Sequence, residues 1–151
     1  MREILFRGKC FYNGKWVKGF IAASRENMYP NGFEMITVDG INYNEIDGCI
    51  PHFTSYVVDP STIGQYTGVT DKNGTKIFEG DICEVTTFTY DGVYTHLLGG
   101  VCFKCCSFVF QDLKHPDIEV LFSSVCDFDT DVEVIGNIND NPELVGGESN
   151  G

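Results

Sequence analysis

The amino-acid sequence predicts a mainly β protein with little helix, built as a small barrel or sandwich. Three observations carry that expectation. Pairs of residues that tolerate positive φ recur along the chain: Asn13-Gly14, Asn31-Gly32, Asp39-Gly40, Asp47-Gly48, Asn73-Gly74 and Asp91-Gly92. Such pairs are what two-residue type I′ hairpin turns require. The runs between them are short and rich in Val, Ile, Thr, Phe and Tyr, the usual content of strands. No window of about twelve residues carries the sustained stripe of an amphipathic helix.

Taken in order, strands are expected near residues 2–12, 15–22, 33–38, 54–59, 63–69, 75–78, 81–90, 93–98, 100–110, 117–124 and 132–138. Alternation is clearest in Val101, Phe103, Cys105, Ser107 and Val109, and in Ile82, Glu84, Thr86, Phe88 and Tyr90. From residue 64 to 85 the pattern reads strand, Asn73-Gly74 hairpin, strand, Glu79-Gly80-Asp81, strand. Gly80 suits a bulge or sharp bend at a barrel corner, and the Asp81 carboxylate can accept from nearby backbone amides. Residues 111–117, with Pro116, read as a loop. One helical turn is expected near the end, with Asn141 as cap and Pro142 at the first helical position. Residues 146–151 form a polar, Gly-rich tail.

At 151 residues the chain suits one domain or two small lobes. Twelve Phe and seven Tyr supply ample core material. No apolar run approaches the roughly 20 residues of a membrane-spanning helix. The opening Met1-Arg2-Glu3-Ile4-Leu5-Phe6-Arg7 lacks the features of a secretory signal. A cytoplasmic protein without membrane contact is therefore expected. Seven cysteines, an odd number, are expected as reduced thiols, with Cys10, Cys83 and Cys102 packing as small hydrophobes inside strands.

The formal charge of −12 is unevenly spread. Residues 1–25 hold Arg2, Arg7, Lys9, Lys15, Lys18 and Arg25 against Glu3, whereas residues 115–151 hold nine acids and no Lys or Arg. Net negative charge opposes phosphate backbones, so generic nucleic acid is not an expected partner. Trp16, flanked by Lys15 and Lys18, is the one credible base-stacking position, weighed against simple core packing.

The remaining motifs fall short of known chemistry. In a strand, Cys102 and Cys105 of Cys102-Phe103-Lys104-Cys105-Cys106 would point to opposite faces, and no Gly or Pro forms a zinc knuckle. The run Asp127-Phe128-Asp129-Thr130-Asp131 starts like a calcium loop. It then places Val132 where Gly is required and Ile138 where Glu is required. His52, His96 and His115 sit in no nucleophile arrangement, and no Gly-rich loop opens a helix. No catalytic residues, metal or cofactor are expected. Asp127, Asp129 and Asp131, with Trp16, Lys15 and Lys18, are the candidate partner-binding residues.

Three segments carry a family resemblance. They are Arg2 to Gly8 with Gly14-Lys15-Trp16-Val17-Lys18-Gly19; Val58-Asp59-Pro60-Ser61-Thr62-Ile63-Gly64-Gln65-Tyr66-Thr67-Gly68 continuing from Asp71 to Ile82; and Val134-Ile135-Gly136-Asn137-Ile138 with Asn141-Pro142-Glu143-Leu144. Together they resemble the YopX family of phage and prophage proteins; residues 86–130 match only in strand-like character. The resemblance implies that the C-terminal part is an SH3-like barrel; the expected division is an N-terminal β lobe over 1–63, that barrel over 64–145 and a flexible tail over 146–151. It implies residence on mobile genetic elements and self-association, and no enzymatic activity. The expected function is a non-catalytic interaction protein, self-associating and binding a host or phage protein. The alternative is an oligomer that sequesters a nucleotide or other small ligand.

Overall fold

A computed structural model describes residues 3–24, 33–37, 55–88, 92, 94–126 and 130–146. The fold is mainly β, and the chain divides into two compact units, Met1–Tyr66 and Thr67–Gly151. The turn pairs Asn31-Gly32, Asp39-Gly40 and Asp47-Gly48 lie outside the described residues.

In the first unit, β1 (Phe6–Lys9) pairs antiparallel with β2 (Trp16–Ser24), which pairs with β3 (Phe33–Thr37) and then β4 (Ser55–Val58). The connection between β1 and β2 is longer than the Asn13-Gly14 pair suggests. Cys10 N–H donates to Lys15 C=O at 2.8 Å, enclosing residues 11–14, and Gly14 alone takes a positive φ of 66°. The end of β4 returns to the end of β1. Phe11 N–H donates to Val57 C=O, and Asp59 N–H to Lys9 C=O, both at 2.9 Å. Val58, fully buried, sits over Gly8, where an added Cβ would lie 3.1 Å from the Val58 Cβ. The Asp59 carboxylate then caps a short 3-10 turn (Pro60–Thr62) by accepting from Ser61 N–H at 2.9 Å. Thr62 Oγ1 accepts from Lys9 N–H at 2.8 Å, which ties that turn to β1. β5 (Gly64–Thr70) pairs with β1 at its start and runs into the second unit, where β6 (Lys76–Phe78) neighbours it.

The second unit holds a sheet ordered β10-β9-β8-β7-β11. Its strands are β7 (Asp81–Phe88), β8 (Tyr94–Lys104), β9 (Ser107–Asp112), β10 (Glu119–Leu121) and β11 (Thr130–Asn137). Ile77, Cys83, Val85, Val101, Phe110, Phe122, Val125 and Val132 form its core. The inward residues of β7 and β11 meet across the ladder, Val132 opposite Val85. Burial of such side chains contributes about 1.5–3 kcal/mol each.

Two strand expectations are corrected here. The runs at 93–98 and 100–110 are not two strands divided at Gly99. β8 passes straight through both glycines, because an added Cβ at Gly99 would fall 2.2 Å from Phe110 Cζ. The chain instead reverses at Cys105-Cys106, with Lys104 opposite Ser107 and Phe103 opposite Phe108. The run at 117–124 shortens to β10, and residues Phe122–Val125 form a helical turn, α1. That turn spaces Phe122 and Val125 three apart so that both are buried. A second turn, α2 (Pro142–Val145), has Pro142 at its start. Asn141 holds the N-cap position, but its side chain makes no capping bond; its side-chain oxygen accepts from Asn137 N–H at 3.3 Å instead.

Candidate interaction surfaces

The β1–β2 register decides which cations meet Trp16. Lys9 stands opposite Trp16 and Arg7 opposite Lys18. Residues two apart in a strand share a face, so Arg7, Lys9, Trp16 and Lys18 lie on one side of the ladder. The Arg7 guanidinium carbon is 4.8 Å from the Trp16 ring centre and the Lys9 ammonium 5.5 Å, both within cation–π range. Trp16 is partly buried, and Lys18 and Lys15 are exposed. Lys15 itself follows the β1–β2 turn, its N–H donating to Asn13 Oδ1 at 3.0 Å.

Charge is divided very unequally between the units. Residues 1–66 carry six Lys or Arg against seven Asp or Glu, a net of −1. Residues 67–151 carry four against fifteen, a net of −11. Among the described residues, three of these acids are buried and hold backbone. Asp71 Oδ1 accepts from Asn73 and Thr75 N–H, both at 2.8 Å, and its Oδ2 from Val134 N–H at 3.2 Å. Asp81 Oδ2 accepts from Phe78 N–H at 2.8 Å, beside Gly80, whose φ is +84°. Gly80 N–H reaches Val101 C=O and its own C=O takes Ile138 N–H, so this corner joins β8 to the end of β11. Asp112 Oδ1 accepts from Lys114 N–H at 2.7 Å and His115 N–H at 2.9 Å. Burial pushes the Asp71 carboxyl up, and the backbone N–H groups of Thr75, Val134 and Asn73 bring it below the usual aspartate value.

Other acids face outward from β7 and β11. Glu133 stands opposite Glu84, and Asp131 opposite Thr86. Alternation puts Glu84, Asp131 and Glu133 on one face, a like-charge grouping that costs stability without a cation. Lys72 supplies one. Its ammonium pairs with Glu133, and that hydrogen bond, with the fields of Glu133, Asp131 and Glu84, pushes it above the usual lysine value. Asp127 and Asp129 lie outside the described residues, so Asp131 is the member of that run the structure places.

The cysteines sort by burial. Cys10 and Cys83 are buried core members, and burial pushes the thiols of Cys102 and Cys126 up. Cys105 and Cys106 are exposed. Among the described residues no three His, Cys, Asp or Glu side chains gather as a metal site. No helix there is long and apolar enough to cross a membrane.

A model of the YopX protein family matches residues 20–146. The chain belongs to the YopX family. It is also similar to protein EF1440 from Enterococcus faecalis, whose crystal structure it matches with a TM-score of 0.54. That match has 23% identity and covers 96% of this chain and 99% of that one, so it bears on the fold alone. None of the curated proteins matches the chain.

For this YopX chain, sequence reasoning named Lys15 and Lys18 beside Trp16 and missed Arg7 and Lys9. Neighbours along a strand point to opposite faces, so the cations that meet Trp16 come from the paired strand. A hairpin register closing at Cys10 and Lys15 would have paired Lys9 with Trp16. Asp71 was also missed; its signal is an Asx-type position two residues before Asn73.

Proposed function

We propose that this chain is a non-catalytic, phage- or prophage-encoded interaction protein of the bacterial cytoplasm. It self-associates and binds a host or phage protein that presents a basic surface, and its second unit completes an SH3-like barrel. One observation carries the reading: of the formal charge, −11 belongs to residues 67–151 and −1 to residues 1–66. A field of that sign repels nucleic acid and steers a basic protein surface toward the second unit, with an attraction that weakens with salt.

Affinity capture from infected cells tests it, using the wild-type chain and the variant Asp127→Asn/Asp129→Asn/Asp131→Asn. The expected result is a partner with a basic surface whose retention falls at high salt and in the variant, with circular dichroism unchanged. Equal retention by the variant would overturn the charge-steered reading. So would a gel shift giving micromolar affinity for duplex DNA at about 0.15 M salt. Light scattering that finds only monomer at high micromolar concentration and low salt would remove self-association.

A further inference from the structure

We propose that the Cys105-Cys106 turn is a two-thiol site for a soft, thiophilic metal ion of the Cu(I) class. The starting point is a backbone outlier. Cys105 has φ 48° and Cys106 has φ 64°, and no other non-glycine among the described residues has a positive φ. Two consecutive positive φ angles across a two-residue β8–β9 connection are the type I′ signature, which Asn-Gly supplies with little strain. Other L residues are strained in that conformation, because Cβ crowds the backbone there. Both cysteines are exposed, so burial returns nothing for the strain, unlike the buried Cys10 and Cys83. What cysteine adds at this turn is sulfur.

The chemistry follows from spacing. Adjacent trans-linked residues hold their Cα atoms about 3.8 Å apart, whereas disulfides span about 4.4–6.8 Å. Direct S–S closure therefore strains the turn, but one bridging atom between the sulfurs enlarges the ring and relieves it. Two ligands do not complete the tetrahedral shell of structural zinc. Soft thiolates select Cu(I), for which two suffice. Binding releases one proton from each thiol and leaves a bis-thiolate complex of charge −1.

The test is anaerobic titration of the reduced full chain with Cu(I) against the chelator bathocuproine disulfonate. The wild type should hold one Cu(I) per chain at chelator concentrations that strip the Cys105→Asn/Cys106→Gly variant. That variant supplies the residues the turn prefers, so loss of binding there is not loss of folding. Cys102→Ser and Cys126→Ser should bind as the wild type does, and the double variant at least tenfold more weakly. Equal retention by the double variant overturns the site, as does equal loss in Cys102→Ser. Closure of Cys105 on Cys106 by a low-molecular-weight disulfide, with no Cu(I) held by the reduced chain, also overturns it.

Discussion

At Asp71–Thr75 the second unit reverses around a buried carboxylate and a glycine; at Lys104–Ser107 it reverses on two exposed cysteines. In the first turn Asp71 N–H donates to Thr75 C=O and Gly74 N–H to Asp71 C=O, a three-residue loop in which Gly74 alone, at φ +83°, turns left-handed. Asp71 then collects three backbone N–H groups, one of them from β11. In the second turn both central residues are left-handed and neither is glycine or asparagine. The first turn thus spends its polar chemistry on holding the backbone, while the second tolerates strain and leaves its reactive atoms in solvent. Strain kept where packing gives nothing back is a pointer to chemistry.

The largest effect expected from breaking this contrast is at Asp71. Asp71→Ala strands N–H groups of Asn73, Thr75 and Val134 around a position only 7% exposed. The expected loss is about 2–4 kcal/mol, given that hydrogen bonds to charged groups contribute about 1.5–3. The folded carboxyl titrates below its unfolded value. Its contribution is therefore full above the unfolded pKa of about 3.9 and is lost as pH falls through the folded pKa. Urea melts between pH 2.5 and 6 should show a steeper acid loss in wild type than in Asp71→Ala. Parallel profiles would mean the carboxylate does not hold the turn.

The same contrast shows what the sequence could and could not disclose. β-branched runs marked most strands, and Pro142 marked α2, because those signals are local. The Asn73-Gly74 pair marked a reversal, but its type depended on a carboxylate two residues upstream and on β11, sixty residues away. Gly99 separates two strand-like runs in the sequence, since glycine weakens a strand interior; here it makes room for Phe110, a partner visible only once β8 and β9 are paired. The Cys105-Cys106 turn carried no turn residue at all. Lys9 and Arg7 reached Trp16 through register, which no spacing along the chain revealed. α1 was missed because four residues are too few for a helical period to emerge.

A smaller effect is expected at Gly74. No atom lies within 4 Å of an added Cβ, so Gly74→Ala meets no clash and isolates the backbone term. With φ at +83°, alanine should destabilise by about 1–2 kcal/mol, partly offset by the stiffer unfolded chain. Asp71 should make the loss complete rather than let the loop relax to another turn type. A chemical melt showing no change would indicate that the loop does relax, and that the carboxylate does not fix its geometry.

The smallest effect, and the one of opposite sign, is at the second turn. Cys105→Asn/Cys106→Gly replaces two strained residues by the pair that a type I′ turn favours, and no packing is lost because both thiols are exposed. Relief of left-handed strain at two positions is worth roughly 1–2 kcal/mol each at most. Glycine returns up to about 1 kcal/mol of that to the unfolded chain as entropy. The net expectation is a gain of about 1 kcal/mol in the midpoint analysis of a urea melt, with an unchanged slope. Cys105→Ser/Cys106→Ser separates strain from sulfur: serine keeps a side chain in the left-handed region and removes the thiols, so its stability should stay near wild type. If the serine variant gains as much as the Asn-Gly variant, the thiols rather than the backbone are what destabilise the turn. If neither gains, the two residues are not left-handed in solution, and the contrast between the two turns disappears with them.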